Sequence, residues 1–285
     1  MINLILAIFF SSVLYIVFKF FKRFKINTFQ AIVFNYLTAF TVGILVSEET
    51  LDFNSILDKS WIIGSFLLGG LFILVFNILG KTSQENGVSV ASVSSKMSMI
   101  IPILFGIFFF KETITFQKII GICLALIAVY FTSKKETGSI EIKNFILPIL
   151  LFFGAGIIDT SMNYMQHTHL KENEVALFSA TTFLSAFLFG VVLSTIKFIR
   201  GNFKFEGKNS IGGLFLGIPN YFSLFFLIKA LQNKDLESAT VFTLINIDVI
   251  LLSTFFGILL FKERLIKQNY VGIALAIIAV ILVTL

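Results

Sequence analysis

Long apolar runs separated by short polar connections dominate this chain. They fall at roughly 2–18, 28–46, 61–80, 88–110, 114–132, 145–166, 175–197, 210–230, 238–261 and 267–285. A helix needs about 20 apolar residues to cross the hydrocarbon core of a bilayer, and these runs have that length. They do not alternate between apolar and polar positions, which excludes the strands of a membrane barrel. The pattern therefore predicts an all-α integral membrane protein with ten transmembrane helices. Gly69, Gly70, Pro102, Pro148, Gly217 and Pro219 fall inside the runs. They do not demote them, because neighbouring helices in a bundle can satisfy the freed backbone groups. The first run lacks a basic leader and a small-residue cleavage site, so it reads as a retained span.

The second half of the chain repeats the first. Residues 106–129 read GIFFFKETITFQKIIGICLALIAV, and residues 257–280 read GILLFKERLIKQNYVGIALAIIAV, an offset of 151. Gly106, Phe110, Lys111, Glu112, Gln117, Gly121, Leu124 and Ala128 recur as Gly257, Phe261, Lys262, Glu263, Gln268, Gly272, Leu275 and Ala279. The halves meet at the charged stretch 133–144, SKKETGSIEIKN, which divides the chain into repeats 1–133 and 145–285. Five spans is an odd number, so the second copy enters the membrane in the opposite sense and the repeat is inverted. The connections after spans 1, 3, 5, 7 and 9 hold fifteen of the 22 Lys and Arg residues, against six on the other side. Basic loops stay cytoplasmic, which places both termini outside.

Composition narrows the function. The chain is 57% hydrophobic and 13% charged, with a mean hydropathy of +0.96. Soluble domains carry about 25% charged residues, so the bilayer must be the solvent. The net charge of +6 follows from the basic loops and does not imply a nucleic-acid partner. Cys123 is the sole cysteine, which leaves no internal disulfide and no cysteine-based zinc site. His167 and His169 stand two residues apart, about 200° around a helix, too divergent to chelate a metal together. No glycine-rich phosphate loop, hydrolase motif or catalytic spacing occurs, so neither a cofactor nor an enzyme activity is expected.

Each half ends in the same way: a span closes in Phe-Lys-Glu, a short turn and a Gln follow, and the next span opens near a Gly and is rich in Ala. This resembles the EamA family of the drug/metabolite transporter superfamily, whose recognisable Glu after the fourth and ninth spans is matched by Glu112 and Glu263. Gly121, Gly272 and Pro102 match as well. The resemblance covers essentially the whole chain. It departs at Ser253, the counterpart of Pro102, and at Asn35-Tyr36, where many members carry an Arg. It implies a secondary transporter of the cell (inner) membrane that moves a small metabolite by alternating access, amino-acid export first. A proton gradient or the solute's own gradient would drive it, and spans 1, 3, 4, 6, 8 and 9 would line the cavity. A drug or nucleotide-sugar carrier of the same fold is the alternative, and a membrane-embedded lipid-modifying enzyme is the alternative from another class. Glu112 and Glu263 sit at span ends beside lysines, where a carboxylate caps the next helix. They read as structural.

Cargo contacts are expected where ionisable residues lie inside spans: Lys96, Asp159 and Asp248. A charge at the bilayer centre costs about 2.5–3.5 kcal/mol on insertion scales and is rarely kept without use. Lys96 lies about 12 Å into span 4 and Asp248 about 15 Å into span 9, at 1.5 Å per residue. Under the repeat offset, Asp248 falls on Met97, so Lys96 and Asp248 are expected to face one another. Lys96 would take the carboxylate of a zwitterion and Asp248 its ammonium; the alternative is a structural ion pair. Asp159 shares a helix face with Asn163, a stripe suited to substrate, a coupling proton or an interhelical hydrogen bond. Gly217-Ile218-Pro219-Asn220-Tyr221 predicts a kink with Asn220 and Tyr221 as donors beside it. The run Ser89–Ser95 predicts close helix packing.

Overall fold

The computed structural model describes residues 2–46, 58–109, 115–134, 143–170, 174–201, 204–231 and 238–284. Among them only helices and their connections occur: α1 (Ile2–Arg23), α2 (Thr28–Val46), α3 (Ile62–Glu85), α4 (Val88–Met97), α5 (Ile100–Phe109), α6 (Phe116–Ser133), α7 (Lys143–Thr168), α8 (Val175–Ile199), α9 (Gly207–Leu231), α10 (Ser238–Phe261) and α11 (Lys267–Thr284). α4 and α5 share one span, Val88–Phe109, so ten segments are long and apolar enough to cross a bilayer.

Several helices outrun their apolar stretches. α1 continues through Lys22 and Arg23 in its last turn. Basic side chains suit the negative end of the helix dipole, and their stems can lie along apolar surface while the charge reaches water. α6 begins at Thr115, whose hydroxyl accepts from the Lys118 amide at 3.3 Å.

Span 4 is broken where sequence length alone predicts one helix. Pro102 has no amide hydrogen, and its ring crowds the carbonyl four residues back, that of Ser98. The chain tightens there: the Met99 amide donates to the Lys96 carbonyl at 3.4 Å and the Ile101 amide to the Ser98 carbonyl at 2.9 Å. The symmetry-related α10 has Ser253 at the matching position and runs unbroken. α9 continues as one helix through Pro219.

The packing reproduces the repeat. The most extensive contacts join α6 to α11, α2 to α9, α1 to α9 and α3 to α8. Exchanging each span for the one five further on turns the α2–α9 contact into the α8–α3 contact, and the α1–α9 contact into the α7–α3 contact. The α6–α11 contact maps onto itself, so it lies on the pseudo-two-fold axis. Two glycines of the repeated motif make that contact possible. A Cβ on Gly121 would sit 2.5 Å from Val283, and one on Gly272 would sit 2.7 Å from the Thr132 amide nitrogen. Large apolar side chains such as Leu45, Phe108 and Ile63 are exposed, as a lipid-facing surface requires.

Candidate functional site

The break in span 4 positions a polar group inside the bundle. Lys96 ends the last turn of α4, and Ser98 lies in the break itself. The Ser98 hydroxyl is shared between the Ser95 carbonyl at 2.5 Å and Asp159 Oδ2 of α7 at 3.2 Å. Lys96 interacts electrostatically with Asp159, yet the two make no N–O contact within the 4.0 Å of an ion pair. Tyr15 of α1 adjoins Ser95 and lies within electrostatic reach of Asp159. Two opposite charges, two hydroxyls and a phenol thus converge from spans 1, 4 and 6. No direct ion pair closes the space between the charges.

Asp159 is accessible on the inward side of α7. The lipid-facing side of α7 is marked by exposed Ile146, Ile149, Leu150, Phe153 and Ile157. At 100° per residue Asp159 projects to the far side of the helix, the side of buried Phe152 and Ala155. It is nevertheless exposed. An exposed side chain on the inward face of a bundle helix faces a water-accessible gap rather than lipid. Asp159 lies nine residues from the Thr168 end of α7, about 14 Å deep.

The other expected residues are placed differently. Asp248 is half-buried on the flank of α10 that also carries exposed Leu251 and Phe255. It has no electrostatic coupling to Lys96, so the expected facing of Lys96 and Asp248 is corrected: Asp159 is the acid beside Lys96. The repeat offset aligns α4 with α10, but rotation of each helix about its own axis decides which side chains meet. Asn220 is buried and donates from Nδ2 to Asn35 Oδ1 of α2 at 3.2 Å. Tyr221 lies against Gly43 of α2, where a Cβ would come 3.1 Å from its ring, and stacks on Phe225. Asn220 and Tyr221 therefore contact α2 and the body of α9. Asn163 belongs to α7, but its side chain lies outside the described residues. Tyr15 and Ser98 are not among the residues singled out from the sequence, and Ser95 is read there only as a packing residue. Their signal was present: two serines flank a lone intramembrane lysine.

At the bundle end that carries the odd-numbered connections, Glu263 ties the two repeats together. Its Oε1 accepts from the Val88 amide at 2.7 Å and pairs with Lys19 of α1 at 3.2 Å. Its Oε2 accepts from the Ser89 amide at 3.4 Å and the Ser89 hydroxyl at 3.3 Å. The carboxylate thus caps α4 of the first repeat from the α10–α11 turn of the second. Room for it comes from Gly87, at φ +115, and from Gly257, where a Cβ would lie 2.8 Å from Oε2. Phe20 and Phe261 close edge to face beside it, with ring centres 4.8 Å apart. Asn269 Nδ2 donates to the carbonyls of Phe131, Thr132 and Lys134 at 2.9–3.1 Å, which caps the end of α6. Glu112, the counterpart of Glu263, lies outside the described residues.

The comparisons agree with this architecture. The sequence pattern of the EamA-like transporter family matches residues 1–134 and again 146–285. An uncharacterised protein of Haemophilus influenzae is 32% identical over 285 residues, covering 98% of this chain and 96% of its own length. A solved crystal structure superimposes with a TM-score of 0.60 at 16% identity, over 99% of this chain and 94% of its own, which shows the shared fold. Ten spans, two copies of one unit and a match over nearly the whole length lead to one conclusion: this chain belongs to the EamA-like transporter family, within the drug/metabolite transporter superfamily.

Proposed function

We propose that this transporter exports a small zwitterion, an amino acid or a related metabolite, across the cytoplasmic membrane by alternating access. The observation that carries the reading is the pair Lys96 and Asp159: opposite charges at mid-membrane depth, one accessible on the inward side of its helix, with no direct ion pair between them. Lys96 takes the solute carboxylate. Asp159, held by Ser98, takes the ammonium group. Such a solute satisfies both charges at once, which neither water nor an uncharged solute does as well in a low-dielectric site. Asp248, Asn220 and Tyr221 do not hold the charged groups in this reading.

Alternating access needs one end of the seam between repeats to open while the other is closed. The Glu263–Lys19–Ser89 contacts close one end, and their release is the step that admits solute from that side. Asp159 is positioned to carry a proton when no solute is bound, which would couple export to the proton gradient.

Ligand binding to the folded state raises thermal stability. A melting screen of the purified protein against amino acids, nucleosides and sugars should give upward shifts for amino acids. Those shifts should vanish in Asp159→Asn. Stabilisation by nucleosides or sugars alone, or amino-acid shifts that survive in Asp159→Asn, would sink the proposal.

A further inference from the structure

A polar cavity, of about 210 Å³, lies at the Glu263 end of the bundle. It is formed where the α3–α4 turn, the end of α6, the α10–α11 turn and α1 meet, and its charged lining is Lys19, Lys134, Arg264, Glu85 and Glu263. At about 30 Å³ per water molecule, it has room for about seven waters or one compact polar group.

With three cations against two carboxylates, the charged lining of this cavity is net cationic. Glu263 is engaged by Lys19, two backbone amides and the Ser89 hydroxyl. The Asn86 amide donates to the Asn144 carbonyl at 2.8 Å, and the Asn269 amide is taken by the three carbonyls of the α6 end. The Ser133 hydroxyl donates back to the Val129 carbonyl at 2.7 Å. Arg264 and Lys134 form no ion pair among the described residues; Lys134 only overhangs the Tyr130 ring at 6.0 Å. A wall whose side-chain amides and hydroxyls are engaged, and which keeps two cations outside any ion pair, favours an anion. Arginine presents a planar fork that matches phosphate oxygens, and lysine adds a point charge. Each of these residues stands at a span end, the level of lipid headgroups, on the side that the basic-residue count assigns to the cytoplasm.

We infer that this cavity is a phosphate-binding site, in which Arg264 and Lys134 hold the phosphate of an anionic lipid headgroup or of a soluble phosphate compound against the seam between the repeats. The site is distinct from the Lys96–Asp159 pair and does not depend on the identity of the cargo.

Two arms test it and separate the sources. Native mass spectrometry of the detergent-solubilised protein compares retention of phosphatidylglycerol with phosphatidylcholine of the same chains. Thermal unfolding compares inorganic phosphate with chloride at matched ionic strength. Each basic residue near an anionic group contributes about fivefold in affinity. The wild type should therefore favour phosphatidylglycerol, or be stabilised by phosphate, and Arg264→Gln with Lys134→Gln should reduce that preference more than tenfold on the same estimate. A preference confined to the lipid arm identifies a headgroup; stabilisation confined to the phosphate arm identifies a soluble compound. Arg264→Lys, which keeps the charge, should retain part of the effect and guards against a misfolded double variant. Arg23→Gln, exposed at the same end but outside the cavity, should leave it unchanged. No preference in either arm, an undiminished preference in the double variant, or an equal loss in Arg23→Gln overturns the inference.

Discussion

Lys96 and Asp159 bind each other's fate. Either charge alone inside a span costs about 2.5–3.5 kcal/mol, and each reduces that cost for the other. Lys96→Ala should therefore lower the melting temperature by several degrees, and adding Asp159→Asn should restore most of it. A double variant no more stable than Lys96→Ala would show that the two charges are independent. Asn269 makes a different prediction. Its single amide holds three carbonyls of the α6 end, so Asn269→Ala leaves buried acceptors unpaired. A loss of about 1–3 kcal/mol is expected in thermal or denaturant unfolding, and an unchanged midpoint would refute the capping role. At this scale the sequence exposes which residues matter more readily than which residues meet. Lys96 and Asp159 stand out because ionisable groups are rare in apolar runs. Their partnership was hidden, because it depends on how span 6 packs against the broken span 4. Repeat symmetry pointed to Asp248 instead.

Between helices, the decisive features are the glycines on the symmetry axis and the break in span 4. A leucine at Gly272 would drive a side chain into the Thr132 backbone, so Gly272→Leu should prevent α6 and α11 from closing and leave little monodisperse protein in size exclusion. Gly207→Ala, with nothing within 4 Å of the added carbon, should elute as the wild type does. Equal behaviour of the two would refute the packing account. Length and apolarity made all ten spans legible, since the bilayer sets a single length for every element. The helix ends were less legible, because basic last turns such as Lys22–Arg23 continue a helix that hydropathy has already ended. The break at Ser98 was not legible from length. A proline within a bundle helix can be absorbed, as at Pro148 and Pro219, or can split the helix, as at Pro102. The outcome turns on whether neighbours supply partners for the freed backbone groups.

Across the whole molecule, the proposed transport path runs between two inverted copies and is closed at the Glu263 end. If the odd-numbered connections are cytoplasmic, a C-terminal reporter active only in the cytoplasm should stay silent; a strong signal would reverse the orientation. The seal predicts a sided reaction as well. With Cys123→Ser removing the exposed native thiol, Asp159→Cys should react with a membrane-impermeant thiol reagent added outside cells. It should be protected from the same reagent added to inside-out vesicles. Equal labelling from both sides would mean that the Glu263 contacts do not close the path. The central claim is that Lys96 and Asp159 hold a zwitterionic cargo during transport. The most direct measurement is counterflow in liposomes: purified protein is reconstituted with unlabelled amino acid inside, and uptake of the labelled amino acid is followed. The wild type should accumulate intact label transiently, and Asp159→Asn and Lys96→Ala, reconstituted at equal amount, should not. Counterflow at the wild-type rate in both variants would contradict the account.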